Sequence, residues 1–194
     1  IIKKLLSSYE DIISVENLLS AWQEFVCGKR GKRDVQEFSR NFMDEIVLLH
    51  HNLAGCAYCH GPYEHFVVCD PKRRDIHKAS VRDRLVHHAV YRVLYPFFDR
   101  TFIADSFSCR LGKGTHRAMD RFRSFAYQVS ENHTRTAWVL QCDIRKFFAS
   151  IDHAALLAIL AEHIPDRRIM GLLKNIIASF SGVRKGPPRD RGDR

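Results

Sequence analysis

The 194-residue chain has no long apolar run. None reaches the ~18 residues that a membrane span requires, and Ile1-Ile2-Lys3-Lys4 has no signal-peptide cleavage pattern. A membrane partner is not expected, and the expected compartment is the cytoplasm. Acidic residues are in short supply: 22 Asp and Glu stand against 31 Lys and Arg, a formal net charge of +9, and 11 His can add to it in mild acid. That imbalance points to a polyanion. A disulfide framework is also missing, because Cys27, Cys56, Cys59, Cys69, Cys109 and Cys142 are unevenly spaced in a basic chain without a leader, and reduced thiols are expected. Cys56-Ala-Tyr-Cys59-His60 has the spacing of c-type haem attachment, which would demand export. With His65 and Cys69 it could supply zinc ligands, but a second tight Cys or His pair is absent. A surface loop with incidental thiols, closed by Gly61-Pro62, is the expectation, with zinc as the alternative. Apolar residues are not lacking: at 45% of the chain they suffice for one sizeable core or two small subdomains.

Helical periodicity dominates the N-terminal third. Val15, Leu18, Leu19, Trp22, Phe25 and Val26 predict a helix from the Ser14 cap to Gly28. Gly28-Lys-Arg-Gly-Lys-Arg33 is a basic turn, either a phosphate contact through Lys29, Arg30, Lys32 and Arg33 or a solvated loop. A second helix is expected from an Asp34 cap to His50-His51, with Val35, Phe38, Phe42, Ile46 and Leu49 on one face. The period then changes. His65–Cys69 and Asp75–Ala79 flank Asp70-Pro-Lys-Arg-Arg74, a β-hairpin with Pro71 in its turn and Lys72, Arg73 and Arg74 at its tip. Val81 to Arg100 predicts a long helix with Leu85, Val86, Ala89, Val90, Val93, Leu94 and Phe97 inward and His87 and His88 on a mixed or polar face. Residues 102–116 form a loop in which Gly112 and Gly114 permit close backbone approach. His116–Val129 predicts another helix with Ala118, Met119, Phe122 and Phe125 inward.

The stretch Trp138-Val-Leu-Gln-Cys-Asp143-Ile-Arg-Lys-Phe147-Phe148-Ala-Ser-Ile151-Asp152-His153 reads as an apolar strand that delivers a carboxylate to a sheet end. A carboxylate placed there suits a hard cation such as Mg²⁺ beside a phosphate-bearing substrate. The plainer alternative is an edge strand with a solvated Asp and a core Phe pair.

Four ordered blocks resemble bacterial reverse transcriptases, particularly the lineage that includes diversity-generating retroelements, and more distantly the group II intron enzymes. They are Phe66-Val-Val-Cys-Asp70-Pro-Lys-Arg-Arg74-Asp-Ile76, Arg82-Asp-Arg-Leu-Val-His-His-Ala89, Phe102-Ile-Ala-Asp-Ser-Phe-Ser-Cys-Arg-Leu-Gly-Lys-Gly-Thr-His116 and Cys142-Asp-Ile-Arg-Lys-Phe-Phe-Ala-Ser-Ile-Asp-His153. The resemblance covers roughly residues 15–180. It implies that Asp143 is the first metal-binding carboxylate of a polymerase palm, with the Ile144 carbonyl as a second oxygen ligand for Mg²⁺ or Mn²⁺. Phe148 would be the gate against a ribose 2′-hydroxyl. Lys72 and Arg74 would grip the triphosphate of an incoming deoxynucleotide, and Arg110 and Lys113 would lie along the template. The implied partners are an RNA template, a DNA primer or RNA–DNA hybrid and deoxynucleoside triphosphates, with room for an accessory protein. Asp152 reads instead as the N-cap of the helix from His153.

Relatives of this kind continue with a Gly-Leu-Pro-Leu-Gly-like block and a Tyr-x-Asp-Asp hairpin that brings the remaining carboxylates. Here Ser181-Gly-Val-Arg-Lys-Gly186-Pro-Pro-Arg-Asp-Arg-Gly-Asp-Arg194 follows, a Pro/Gly/Arg tail expected to be disordered. Its Asp190 and Asp193 have no strand around them. The expected architecture is α+β and mostly helical: the fingers of a right-hand polymerase, with a small antiparallel hairpin, and the first part of its palm, with one strand. The expected segments are a helical region 1–55, fingers 56–136, partial palm 137–182 and the tail 183–194, so that this chain is an incomplete and by itself inactive portion of an RNA-directed DNA polymerase. The competing class is a non-catalytic RNA- or DNA-binding module with a vestigial palm.

Overall fold

The computed structural model describes residues 3–71, 73–144 and 147–180, except the side chain of Ala149. The elements run α1 Tyr9–Ile13, α2 Val15–Val26, α3 Arg33–Arg40, α4 Phe42–Ala54, β1 Glu64–Cys69, β2 Arg73–Lys78, α5 Val81–Asp99, α6 Thr115–Val129, α7 Phe147–Ser150, α8 His153–His163 and α9 Arg167–Ser179. The chain is α+β, with helices predominating and β1 and β2 forming an antiparallel hairpin in the register Glu64↔Lys78 to Cys69↔Arg73. Two compact units arise from it, one holding residues up to Leu94 and from Phe148 onward, the other Tyr95–Phe147.

The first unit carries the core. Ile12 and Ile13 of α1, Leu18, Ala21 and Phe25 of α2, Ile46, Leu49 and Leu53 of α4, and Leu85, Val86 and Ala89 of α5 are almost fully buried. These are the apolar positions that recur at helical spacing, and their burial supplies the main stabilisation. Polar ties then fix the angles between helices. Asn17 donates through Nδ2 to the carbonyls of Ile12 (2.8 Å) and Ala89 (3.1 Å), joining α1, α2 and α5. The Tyr9 hydroxyl donates to Leu53 O at 2.8 Å. Burial pushes that phenol up to about 12.

The expected helix from Asp34 to His51 divides at Asn41 into α3 and α4. Lys32, not Asp34, occupies the cap position, because Asp34 is engaged elsewhere: it accepts from Arg84 at 2.6 Å and pairs with Lys78 at 2.8 Å. Asp152 caps α8 as the sequence indicated, accepting from the amides of Ala154 (2.8 Å) and Ala155 (3.0 Å). Those two bonds hold its carboxyl below the usual range.

Two expectations need correction. Residues 138–143 form no strand; Trp138 is 92% and Leu140 88% exposed. β-forming side chains become a strand only when a neighbouring strand takes up their backbone donors and acceptors, and none does so among the described residues. The apolar face expected to point inward from α6 is not buried: Met119, Phe122 and Phe125 are 41–54% exposed, and no α6 residue is buried. The tail from Ser181, with Gly186, Asp190 and Asp193, lies outside the described residues.

Candidate nucleic-acid interface

In the first unit the hairpin is held at its base by ion pairs. Alternation along the strands places Glu64, Phe66 and Val68 of β1 beside Arg74, Ile76 and Lys78 of β2 on one face. Lys78 closes the base against Asp34 and also reaches Glu64 at 3.7 Å. Burial works to raise the Asp34 carboxyl, but hydrogen bonds and charge from Lys78 and Arg84 outweigh it and hold the group below its ordinary value. At the other end Arg73 and Arg74 are exposed, and neither has a partner among the described residues. Lys72 lies outside those residues.

The loop preceding the hairpin exposes its thiols as expected, but it also sends two side chains into the protein. Cys56 and Cys59 are exposed, but Tyr58 is buried and the His60 side chain is fully enclosed. The centre is Asp83, 1% exposed on α5. Its carboxylate accepts from Tyr58 Oη (2.8 Å), Ser80 Oγ (2.8 Å), the Gly61 amide (3.1 Å) and Arg82 Nη2 (3.3 Å). A Cβ on Gly61 would stand 3.0 Å from Asp83 Oδ2, so a side chain there would press on the carboxylate. Burial alone would raise the Asp83 carboxyl; the Ser80 and Tyr58 hydrogen bonds, with the charges of His60 and Arg82, bring it below the usual range. Burial and the bond to Asp83 push the Tyr58 phenol up.

His60 and His87 meet Nε2 to Nε2 at 3.1 Å. His60 Nδ1 lies 2.7 Å from the Gly61 carbonyl, which can only accept, so it donates there. Burial first, and the neighbouring His60 second, lower His87 to about 4. His87 and His88 are half-buried, in keeping with a mixed face; His88 Nδ1 is buried without a partner among the described residues. Asn175 of α9 completes the anchor, donating to Tyr58 O (2.8 Å) and accepting from the His60 amide (3.1 Å). The clue in the sequence is Asp83 itself, a carboxylate at i−3 from Val86 and i−7 from Val90 on the apolar stripe of α5.

The basic turn after α2 contains both engaged and free cations. Gly28 takes φ +69° with no atom near its missing Cβ, so its role is conformational. Lys29 Nζ donates to Phe25 O at 2.9 Å and stands over the Phe25 ring, and Arg33 pairs with Glu37. Arg30 and Lys32 are exposed and have no partner among the described residues.

In the second unit, Arg110 organises its own loop. Its Nε donates to Asp99 Oδ1 (2.7 Å), Nη1 to the carbonyls of Ile103 (3.0 Å) and Ser106 (3.1 Å), and Nη2 to Asp99 O (3.0 Å). Lys113 Nζ donates to Ala104 O at 2.6 Å and stands over Phe107. Asp143 is exposed in an irregular segment, beside an Ile144 that is 63% exposed. Phe148, in α7, is 79% exposed. Among the described residues no three His, Cys, Asp or Glu side chains gather to hold a metal, at Asp143 or at Cys56, Cys59 and His60. The described residues therefore do not by themselves fit a divalent-cation or zinc site. No helix among them is long and apolar enough to cross a membrane.

No protein-family model matches the chain. It is 28% identical over 103 residues to Protein YkfC of Escherichia coli, across 53% of this chain and 26% of that protein. It is 26% identical over 103 residues to Nuclear intron maturase 1, mitochondrial, of Arabidopsis thaliana, across 53% and 13%. It is also 30% identical over 105 residues to an uncharacterized 91 kDa protein in cob intron of Schizosaccharomyces pombe, across 54% and 12%. The match spans about a quarter of the first of these relatives and about an eighth of the other two.

Proposed function

We propose that this chain is a reverse-transcriptase-related RNA-binding protein, the fingers and first part of the palm of an RNA-directed DNA polymerase. The observation that carries the reading is the hairpin, anchored at its base through Asp34 and presenting Arg73 and Arg74, which have no partner among the described residues, towards its tip. Exposed cations on an anchored hairpin suit contact with phosphates, where charge-assisted bonds are strong. Likeness to an intron maturase and to a protein in a cob intron supports an RNA partner, as does the net charge of +9. In this reading the hairpin region from residue 56 serves as fingers, residues from 137 belong to the palm, Phe148 is the sugar gate, and an RNA–DNA hybrid and deoxynucleoside triphosphates are the substrates of the whole polymerase. Asp143 and the Ile144 carbonyl would be two of the ligands for Mg²⁺ or Mn²⁺. The others do not come from the described residues; in this reading the chain by itself acts as the non-catalytic binding module.

The test pairs binding with primer extension. The chain is expected to bind an RNA–DNA hybrid, to lose most of that affinity on Arg73→Glu with Arg74→Glu, and to extend no primer with Mg²⁺ or Mn²⁺. Full binding by the charge-reversed variant would remove the hairpin from the interface, and robust extension by the unmodified chain would overturn the module reading.

A further inference from the structure

We propose that the groove between α2 and α3 holds one unpaired ribonucleotide of an RNA strand, its base over the apolar floor and its flanking phosphates on Arg30 and Arg40. The inference rests on the RNA-binding reading and adds to it a location and a preference for single strands. The groove has a volume of about 400 Å³ and is lined by Trp22, Val26, Arg30, Val35, Gln36 and Arg40. That size lies within the range of small-ligand sites.

Its walls differ in chemistry in a way that suits a nucleotide. Val26 and Val35, 5% and 1% exposed, form an apolar floor. Trp22 is fixed by the rings of Phe25, Phe38 and Phe42 at centroid distances of 5.8, 5.2 and 4.9 Å, so a base meeting it loses little to side-chain ordering. Arg30 enters from the turn after α2 and Arg40 from the last residue of α3. Neither guanidinium has a partner among the described residues, whereas the adjacent Lys29 and Arg33 are both engaged. Two free guanidinium groups beside one apolar floor call for a ligand with a flat apolar ring and anionic groups on either side of it. The Gln36 amide, also free among the described residues, offers a donor and an acceptor to the edge of that ring. Bases stacked inside a duplex cannot enter such a groove, but the unstacked bases of a single strand can, and aromatic and Arg side chains are the groups that receive them.

The chain has two tryptophans, so a Trp138→Phe background leaves Trp22 as the only indole reporter. The probe is a short single-stranded oligoadenylate, with its duplex and a polyglutamate as comparisons. Binding is followed independently by anisotropy of end-labelled RNA. The single strand is expected to quench Trp22 emission in step with the anisotropy, the duplex is not, and Arg30→Glu with Arg40→Glu should weaken the quenching transition at least about tenfold. Both arginines are exposed, and Gln36→Ala is a milder second variant expected to weaken it less. RNA binding that leaves Trp22 emission unchanged, or quenching that survives charge reversal, overturns the groove while leaving the RNA-binding reading intact. Equal quenching by polyglutamate overturns the nucleotide as ligand. No anisotropy change with any RNA overturns both readings together.

Discussion

Asp83 shows how much can depend on one side chain. Four donors converge on a carboxylate that is 1% exposed, and three of them, from Tyr58, Gly61 and Ser80, belong to the chain on either side of the hairpin. Asp83→Asn keeps the shape but replaces one acceptor oxygen by a donor that faces donors. It should cost on the order of 3 kcal/mol, read as a drop in the urea midpoint; a change below about 1 kcal/mol would mean the cluster adds little. The neighbouring His87 makes stability depend on pH. Its folded value of about 4 lies below its ordinary 6.5, so the unfolded chain binds the extra proton and the folded chain resists it. This contribution is fully present above pH 6.5 and is lost progressively as the pH falls from 6.5 towards 4. Unfolding midpoints measured between pH 7.5 and 4.5 should decline across that window, and His87→Gln should flatten the decline. A variant with the parental slope would assign the effect to another group.

At the scale of elements, helices of similar sequence character are held by different means. α5 buries Leu85, Val86 and Ala89, whereas α6 buries nothing and relies on local pairs such as Arg121 with Asp105 at 2.7 Å and Arg121 over Phe125. Isolated helices of this length are marginal in water. Amide exchange in α6 should therefore approach that of an unprotected chain while the first turns of α5 stay protected; equal protection in the two would refute this. The loop before α6 depends on the planar fork of Arg110, which serves four acceptors at once. Arg110→Ala should open the segment 100–114 to limited proteolysis, and Arg110→Lys should not restore resistance, because an ammonium lacks the fork geometry. Rescue by Lys would show that charge alone holds the loop.

For the whole molecule, the surplus of +9 matters less than which cations are free. Lys29, Arg33, Arg110 and Lys113 have intramolecular partners, and Arg30, Lys32, Arg73 and Arg74 have none among the described residues. Affinity for a single strand should fall with salt by a log–log slope of about −0.7 for each phosphate neutralised. Replacing Arg73 and Arg74 by Ala should reduce that slope by roughly 1.4 units, and Lys29→Ala should barely change it. Equal effects from engaged and free cations would make net charge the whole explanation.

The sequence alone determined the helical elements of the core, the hairpin with Pro71 in its turn and the Asp152 cap, because each depends on local periodicity or on a side chain reaching two or three residues along. It also determined a strongly basic chain. Tertiary structure decided what no local pattern encodes. Asp34 left its expected cap to join Lys78 and Arg84, and His60 and His87 came into contact although they lie 27 positions apart. The segment 138–143 has every local feature of a strand and still forms none, since a strand is defined by its neighbour. Arg84 and Arg168 likewise found acceptors far along the chain, Asp34 and Glu10, for a charge in the sequence carries no record of a distant partner that folding will place beside it.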